Sequence, residues 1–307
     1  MKITSVKIYE VKPRWIFCKV STDEGIVGWG EMISGTKTRT VVEGTKELAD
    51  RIVGRDPFEI ERLWQELHRS FFRGGPINGT IVSGLEMALW DIKGKAFDVP
   101  VWQLLGGRAR DRIRVYSWVG GDRPSDVANE AMDRLSRGFR AIKMNAVEEL
   151  HYVDTYDKVK SAVDRIASIR DVCGDDIEVG IDFHGRVHRP MAKVLANALV
   201  PYHPMFIEEP VLPENWESFA SLAAEVPIPI ATGERLYTRW EYKRLLVQGA
   251  VDIVQPDVSM CGGILEARKI IGMAEAFDVA AAPHAPYGPI ALAATLQVDV
   301  CSPNVFI

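Results

Sequence analysis

Five polar residues recur at nearly constant spacing: Asp182, Glu208, Glu234, Asp257 and His284, with intervals of 26, 26, 23 and 27 residues. Any one of these acids, taken singly, serves equally well as a helix N-cap or a loop salt bridge. A chance scatter of acids does not keep such a phase. Three carboxylates brought around one dry mouth repel one another, so Asp182, Glu208 and Glu234 together call for a cation. Oxygen donors without a thiolate favour one Mg²⁺ per chain, with Mn²⁺ as a substitute, over Zn²⁺. Three protein ligands leave about three octahedral positions for water or substrate oxygens. Asp257 and His284 read as a base held by an acid, because a carboxylate bonded to imidazole orients it and supports its protonated form.

Two further pairs sit at an i, i+2 spacing, which places both side chains of a strand on one face. His184 follows Asp182 in this way and is a candidate acid or a neighbour of the metal, with a structural histidine as the plain alternative. Lys143 and Asn145 repeat the spacing. Three carboxylates and one divalent ion sum to −1, and an anionic substrate adds to that. An inward lysine offsets the excess, so Lys143 and Asn145 are substrate-binding candidates rather than solvated surface groups.

The elements that must position these residues follow from the periodicity. Apolar runs occur at 113–116, 141–144, 178–181, 205–207, 228–231, 251–254, 279–282 and 304–307. Helical stretches lie between them, such as Val159, Val163, Ile166, Ile169 and Ile264, Ala267, Ile271, Ala274. Eight strands alternating with helices predict a parallel (β/α)8 barrel, whose functional face is the C-terminal end of the strands. The five spaced residues fall at that end of runs three to seven. No glycine-rich phosphate loop follows an early strand, which disfavours an open dinucleotide-binding sheet.

The first hundred residues differ in texture. Ile16, Cys18 and Val20 alternate with polar neighbours, Asp23-Glu24-Gly25 supplies a turn, and 26–29 resumes the strand pattern. Leu85, Ala88, Leu89, Ile92 and Ala96 fall on one helical face. The expected fold is α/β: an α+β capping domain over residues 1–110 and a modified barrel over 111–307. The 197 residues left for the barrel are fewer than the ~250 usual for it. The last run ends at Ile307 with no helix after it, so the barrel reads as C-terminally incomplete, cut off within its final strand.

Composition excludes other classes. With 37 basic and 42 acidic residues the net charge is −5, the wrong sign for a nucleic-acid footprint. No apolar run reaches the ~18 residues of a membrane span, and the N-terminus has no signal-peptide core. Cys18, Cys173, Cys261 and Cys301 lie far apart, as reduced thiols of a cytoplasmic protein do, with Cys261, just past the sixth run, the one expected to be exposed near the mouth.

Several segments resemble the enolase superfamily in its mandelate-racemase-like branch. They are 180–185 (GIDFHG), 206–210 (FIEEP), 232–235 (TGER), 255–257 (QPD) and 282–284 (APH), with 91–95 and 100–107 matching the junction between cap and barrel. Within the branch, 116–124, 182–187 and 73–76 resemble the galactonate dehydratases, while 285–287 departs from their pattern. The resemblance implies Mg²⁺ ligands at Asp182, Glu208 (rather than Glu209) and Glu234. It implies His284 with Asp257 as general base and His184 as general acid, acting on a small-molecule aldonate in a homo-oligomeric enzyme. The implied reaction removes the C2 proton and the C3 hydroxyl. Another aldonate dehydratase or an epimerase on the same scaffold, or a silent binder of metal and sugar acid, are the alternatives.

Overall fold

The structure is a computed structural model that describes residues 1–33, 35–69, 74–121, 123–147 and 150–307. Arg73 and Asp122, which lie in two of the resembling segments, fall outside the described residues.

The chain opens with three strands, β1 (Ile3–Val11), β2 (Trp15–Thr22) and β3 (Val27–Met32), in an antiparallel sheet of order β1-β2-β3. The expected hairpin is β2 and β3, with Gly25 at φ +80° in the turn. Ile16, Cys18 and Val20 face inward and their neighbours outward, the period-two burial that specifies register. Helices α1 (Thr38–Ile52), α2 (Ile60–His68), α3 (Gly75–Ala96) and the single turn α4 (Val101–Leu104) follow. The predicted apolar face of α3 is buried at Leu85, Ala88, Leu89 and Ile92. β3 approaches this helix so closely that a Cβ on Gly28 would stand 1.9 Å from the Ala88 carbonyl oxygen. One on Gly30 would stand 1.8 Å from that of Gly84.

The rest alternates: β4 (Ser117–Val119), α5 (Pro124–Ser136), β5 (Ala141–Asn145), α6 (Tyr156–Cys173), β6 (Glu178–Asp182), α7 (Arg189–Leu199), β7 (Phe206–Glu208), α8 (Ser218–Glu225), β8 (Ile230–Thr232), α9 (Arg239–Val247), β9 (Ile253–Val254), α10 (Ile264–Glu275), β10 (Ala280–Ala281) and α11 (Pro289–Cys301). The strands form a seven-stranded parallel sheet of order β10-β9-β8-β7-β6-β5-β4. The fold is thus α/β, with an N-terminal antiparallel sheet followed by a parallel one.

Two runs differ from expectation. Residues 113–116 precede the strand, which begins at Ser117. Its register pairs Ser117 with Ile142, and β5 starts only at Ala141, so residues 113–115 fall opposite positions before β5 and have no ladder to join. At the other end, 304–307 contributes an isolated bridge between Ala281 and Val305 instead of an eighth strand, and closure of the barrel is not seen among the described residues. Cys261 is fully buried, a correction to its expected exposure, and all four cysteines are free thiols. No described helix is long and apolar enough to cross a membrane.

The chain forms two compact units. The first contains residues 1–113, 233–243 and 255–306, and the second 114–232, 244–254 and 307. In the second, Ile142, Met144, Val179, Ile181, Phe206, Ile207 and Ile230 are buried along the strands, with Ile166 and Ile169 of α6. In the first, two buried glutamates tie helix starts to the N-terminal elements. Glu86 of α3 accepts the backbone N–H groups of Ile264 and Leu265, and Glu31 of β3 accepts those of Ile290 and Ala291. Each carboxylate satisfies donors that a helix cannot satisfy itself and lies where its dipole favours negative charge.

Candidate active site

Each unit carries a cluster of the spaced polar residues at strand ends. In the second unit, β5, β6 and β7 pair in register, with Asn145 opposite Asp182 and Asp182 opposite Glu208. Asp182 and Glu208 end their strands and are buried at 1% and 0% exposure. Lys143 lies between them, its Nζ 2.6 Å from Glu208 Oε1 and 3.5 Å from Asp182 Oδ2. Burial alone would lower the lysine pKa. The charge of Glu208, then Tyr116 and Asp182, outweighs it and holds the ammonium above its ordinary range. The same Nζ stands 5.4 Å from the Tyr116 ring centroid and 5.8 Å from that of Trp118, within cation–π range. Burial pushes the Tyr116 phenol up to about 12. Asn145 Oδ1 is buried with no hydrogen-bond partner among the described residues.

His184 reaches this cluster by a different route from the one its spacing implies. β6 ends at Asp182, and His184 sits in a turn at φ +54°. The turn is fixed by Asp182 itself, whose Oδ1 accepts the His184 backbone N–H at 2.6 Å, while Oδ2 lies 3.4 Å from the ring Nδ1. Trp118 packs edge-on against the imidazole at 5.7 Å. Glu209 turns away at φ +46° and accepts the Thr232 hydroxyl at 2.6 Å. Of the adjacent pair, Glu208 is the one that meets Lys143.

In the first unit, Glu234, Asp257 and His284 lie two to three residues beyond the ends of β8, β9 and β10. Pairing continues there as a parallel bridge between Asp257 and His284, with the His284 N–H donating to the Pro256 carbonyl at 3.2 Å. Asp257 is 1% exposed. Its Oδ1 accepts the Ser259 N–H at 2.7 Å, which leaves Oδ2 for His284 Nδ1, also at 2.7 Å. His284 Nε2 stands 2.9 Å from Glu234 Oε2, and Glu234 Oε1 stands 2.5 Å from Arg235. Burial would lower the imidazole pKa. The bonds and charges of Asp257 and Glu234 outweigh it and raise it to about 10. Gly233 makes the approach to Glu234 possible: it sits at φ +148°, and a Cβ there would stand 2.6 Å from the Tyr242 hydroxyl and 2.8 Å from the Gln255 nitrogen.

Sequence reasoning missed the aromatic walls. Tyr116 and Trp118 lie at and beyond the end of the misplaced first run, and Tyr287, whose ring stands edge-on 5.6 Å from that of His284, follows the seventh. A two-residue period through Tyr116 and Trp118 is the only signal that could have marked the first pair.

Comparison with known proteins bears on this arrangement. The pattern described as "Mandelate racemase / muconate lactonizing enzyme, N-terminal domain" matches residues 3–106, and "Enolase C-terminal domain-like" matches residues 126–307. The chain belongs to the enolase superfamily. A D-galactonate dehydratase of Ralstonia nicotianae is 54% identical over 99% of this chain and 80% of its own length. A solved enolase-superfamily member from Salmonella Typhimurium is 35% identical with a TM-score of 0.95, covering 100% of this chain and 86% of that one. A solved enolase from Agrobacterium radiobacter, with Na and L-malate bound and its active site ordered, is 34% identical with a TM-score of 0.93, over 99% of this chain and 79% of that one. Members of the superfamily use a Lys or His base and a divalent metal, typically Mg²⁺.

Proposed function

We propose that this chain is a hydro-lyase that dehydrates an acid sugar, converting D-galactonate to 2-keto-3-deoxy-D-galactonate. The observation that carries the reading is the imidazole of His284, held at Nδ1 by a buried carboxylate and presenting Nε2 to a second one. The relative named D-galactonate dehydratase supplies the choice of substrate. L-malate in the Agrobacterium relative supports the class, since malate, like an aldonate, carries a hydroxyl and a hydrogen on the carbon next to its carboxylate.

The donor set suits a hard divalent ion. Asp182, Glu208 and Glu234 offer carboxylate oxygens, the hard donors such an ion prefers to the thiols of the four free cysteines. Mg²⁺ held by these three carboxylates would supply positive charge where the substrate carboxylate gains negative charge as its C2 proton leaves. With Nε2 released from Glu234, His284 in its neutral form takes that proton there, and Asp257 keeps the imidazole in the right tautomer and supports the charged form that results. His184 gives a proton to the departing C3 hydroxyl, so that water leaves. The enol that remains becomes the 2-keto-3-deoxy acid by taking a proton at C3. Lys143 offsets the charge of its two carboxylates, and Asn145 offers its free amide oxygen to a substrate hydroxyl. A screen of aldonates with Mg²⁺, read as 2-keto-3-deoxy acid formed, tests the reading. D-Galactonate should turn over and EDTA should stop it. Turnover of other aldonates with none on D-galactonate would overturn the substrate, and no product from any would overturn the reaction.

A further inference from the structure

We propose that Tyr287 is a positioning residue that fixes the ring plane of His284, and that Arg14 of the β1–β2 turn and Glu31 of β3 hold Tyr287 in place. The inference rests on the reading of His284 as the base. In the structure the imidazole has two polar holds, Asp257 at Nδ1 and Glu234 at Nε2. Proton abstraction needs Nε2 released from Glu234, and a ring on a single hydrogen bond can swing about it. A further constraint on the ring plane is the Tyr287 ring, which meets the imidazole at 85° with centroids 5.6 Å apart. Such an edge-to-face contact resists rotation of either ring.

Tyr287 is fixed from two sides. The Arg14 guanidinium lies over its ring at 5.9 Å and donates to the Pro286 carbonyl at 3.1 Å. On the other side, Glu31 binds the Ile290 and Ala291 N–H groups. Gly288 between them packs so tightly that a Cβ there would stand 2.1 Å from Glu31 Oε1. The Tyr287 backbone is therefore anchored at the start of α11. A cavity of about 180 Å³, which Arg14, Glu31 and Tyr287 help to line, lies alongside. Removing the phenol ring enlarges it and gives the imidazole room to turn.

The test compares Y287A, Y287L and Y287F with the wild type, using D-galactonate and Mg²⁺, with melting temperature as a control on folding. A misplaced reacting group costs up to about 10²-fold. The inference expects Y287A and Y287L to lose kcat on that order with KM nearly unchanged, and Y287F, which keeps the ring, to restore kcat. R14Q should fall between. A rise in KM with kcat retained, in Y287F as in Y287A, would show a hydroxyl that touches substrate and would overturn the positioning role. A crystal structure of Y287A gives a readout independent of turnover: the His284 ring should be rotated or split between orientations. An unmoved ring contradicts the inference, whatever the substrate. Absence of turnover in the wild type contradicts the proposed function instead and leaves this crystallographic arm to decide.

Discussion

At the scale of single residues, Lys143 balances the charge of the second unit's cluster. It was legible in the sequence because the sum of three acids and one divalent ion demands a cation, and its burial at 5% exposure answers that demand. Its aromatic neighbours were not legible, since Tyr116 and Trp118 matter through a strand pairing that starts later than their apolar run suggests. Replacing the lysine removes the ammonium that stands between Asp182 and Glu208, and breaking comparable buried pairs costs about 3–5 kcal/mol. K143M should therefore melt well below the wild type in EDTA, and Mg²⁺ should raise its melting temperature more than it raises that of the wild type. Thermal denaturation with and without Mg²⁺ checks this. His284 gives a second prediction. Its folded pKa of about 10 lies above the ordinary 6.5, so the stability it contributes is complete below pH 6.5. That contribution is lost as pH rises through about 10. The advantage of metal-free wild type over H284N in urea denaturation should shrink steadily between pH 7 and pH 10, and a constant advantage would contradict the assignment.

At the scale of elements, the sequence-based reading of α3, α6, α10 and the β2–β3 hairpin matched because each carries its own periodic apolar face. What escaped it depends on partners distant in sequence. The start of α10 is capped by Glu86, some 180 residues earlier, which accepts two backbone N–H groups there, while the Trp90 indole of its own helix donates to it at 2.7 Å. Burial pushes the Glu86 carboxyl up to about 8. Above pH 8, where Glu86 is a carboxylate, E86Q places an amide N–H against a backbone N–H and should lose about 1–3 kcal/mol, the cost of an unsatisfied buried donor, measured by urea denaturation at pH 9. His184 shows the same limit. The strand alternation expected to aim it stops at Asp182, and a left-handed turn closed by the Asp182 carboxylate does the aiming. Gly30 is a third case, legible only as a break in β propensity. G30A forces a Cβ into the Gly84 carbonyl, so β3 or α3 must shift, and the melting temperature should fall by several degrees.

At the scale of the whole molecule, the regular recurrence of polar residues at strand ends is what made the chemistry readable before the fold. Five residues of fixed type, each about one β/α unit apart, converge in meaning only if the chain alternates strand and helix, and it does. The substrate was not readable this way, because sugar stereochemistry is set by side chains around the site whose spacing follows no period. The central claim is that His284 removes the C2 proton of an aldonate while His184 serves the later loss of hydroxyl. General acid–base groups contribute ~10²–10⁴-fold, enough to separate the two steps. The measurement is incorporation of solvent deuterium at C2 of D-galactonate in heavy water with Mg²⁺, comparing H284N and H184N with the wild type. The account predicts that H184N exchanges C2 but forms no 2-keto-3-deoxy acid, and that H284N does neither. Exchange at the wild-type rate in H284N would contradict it.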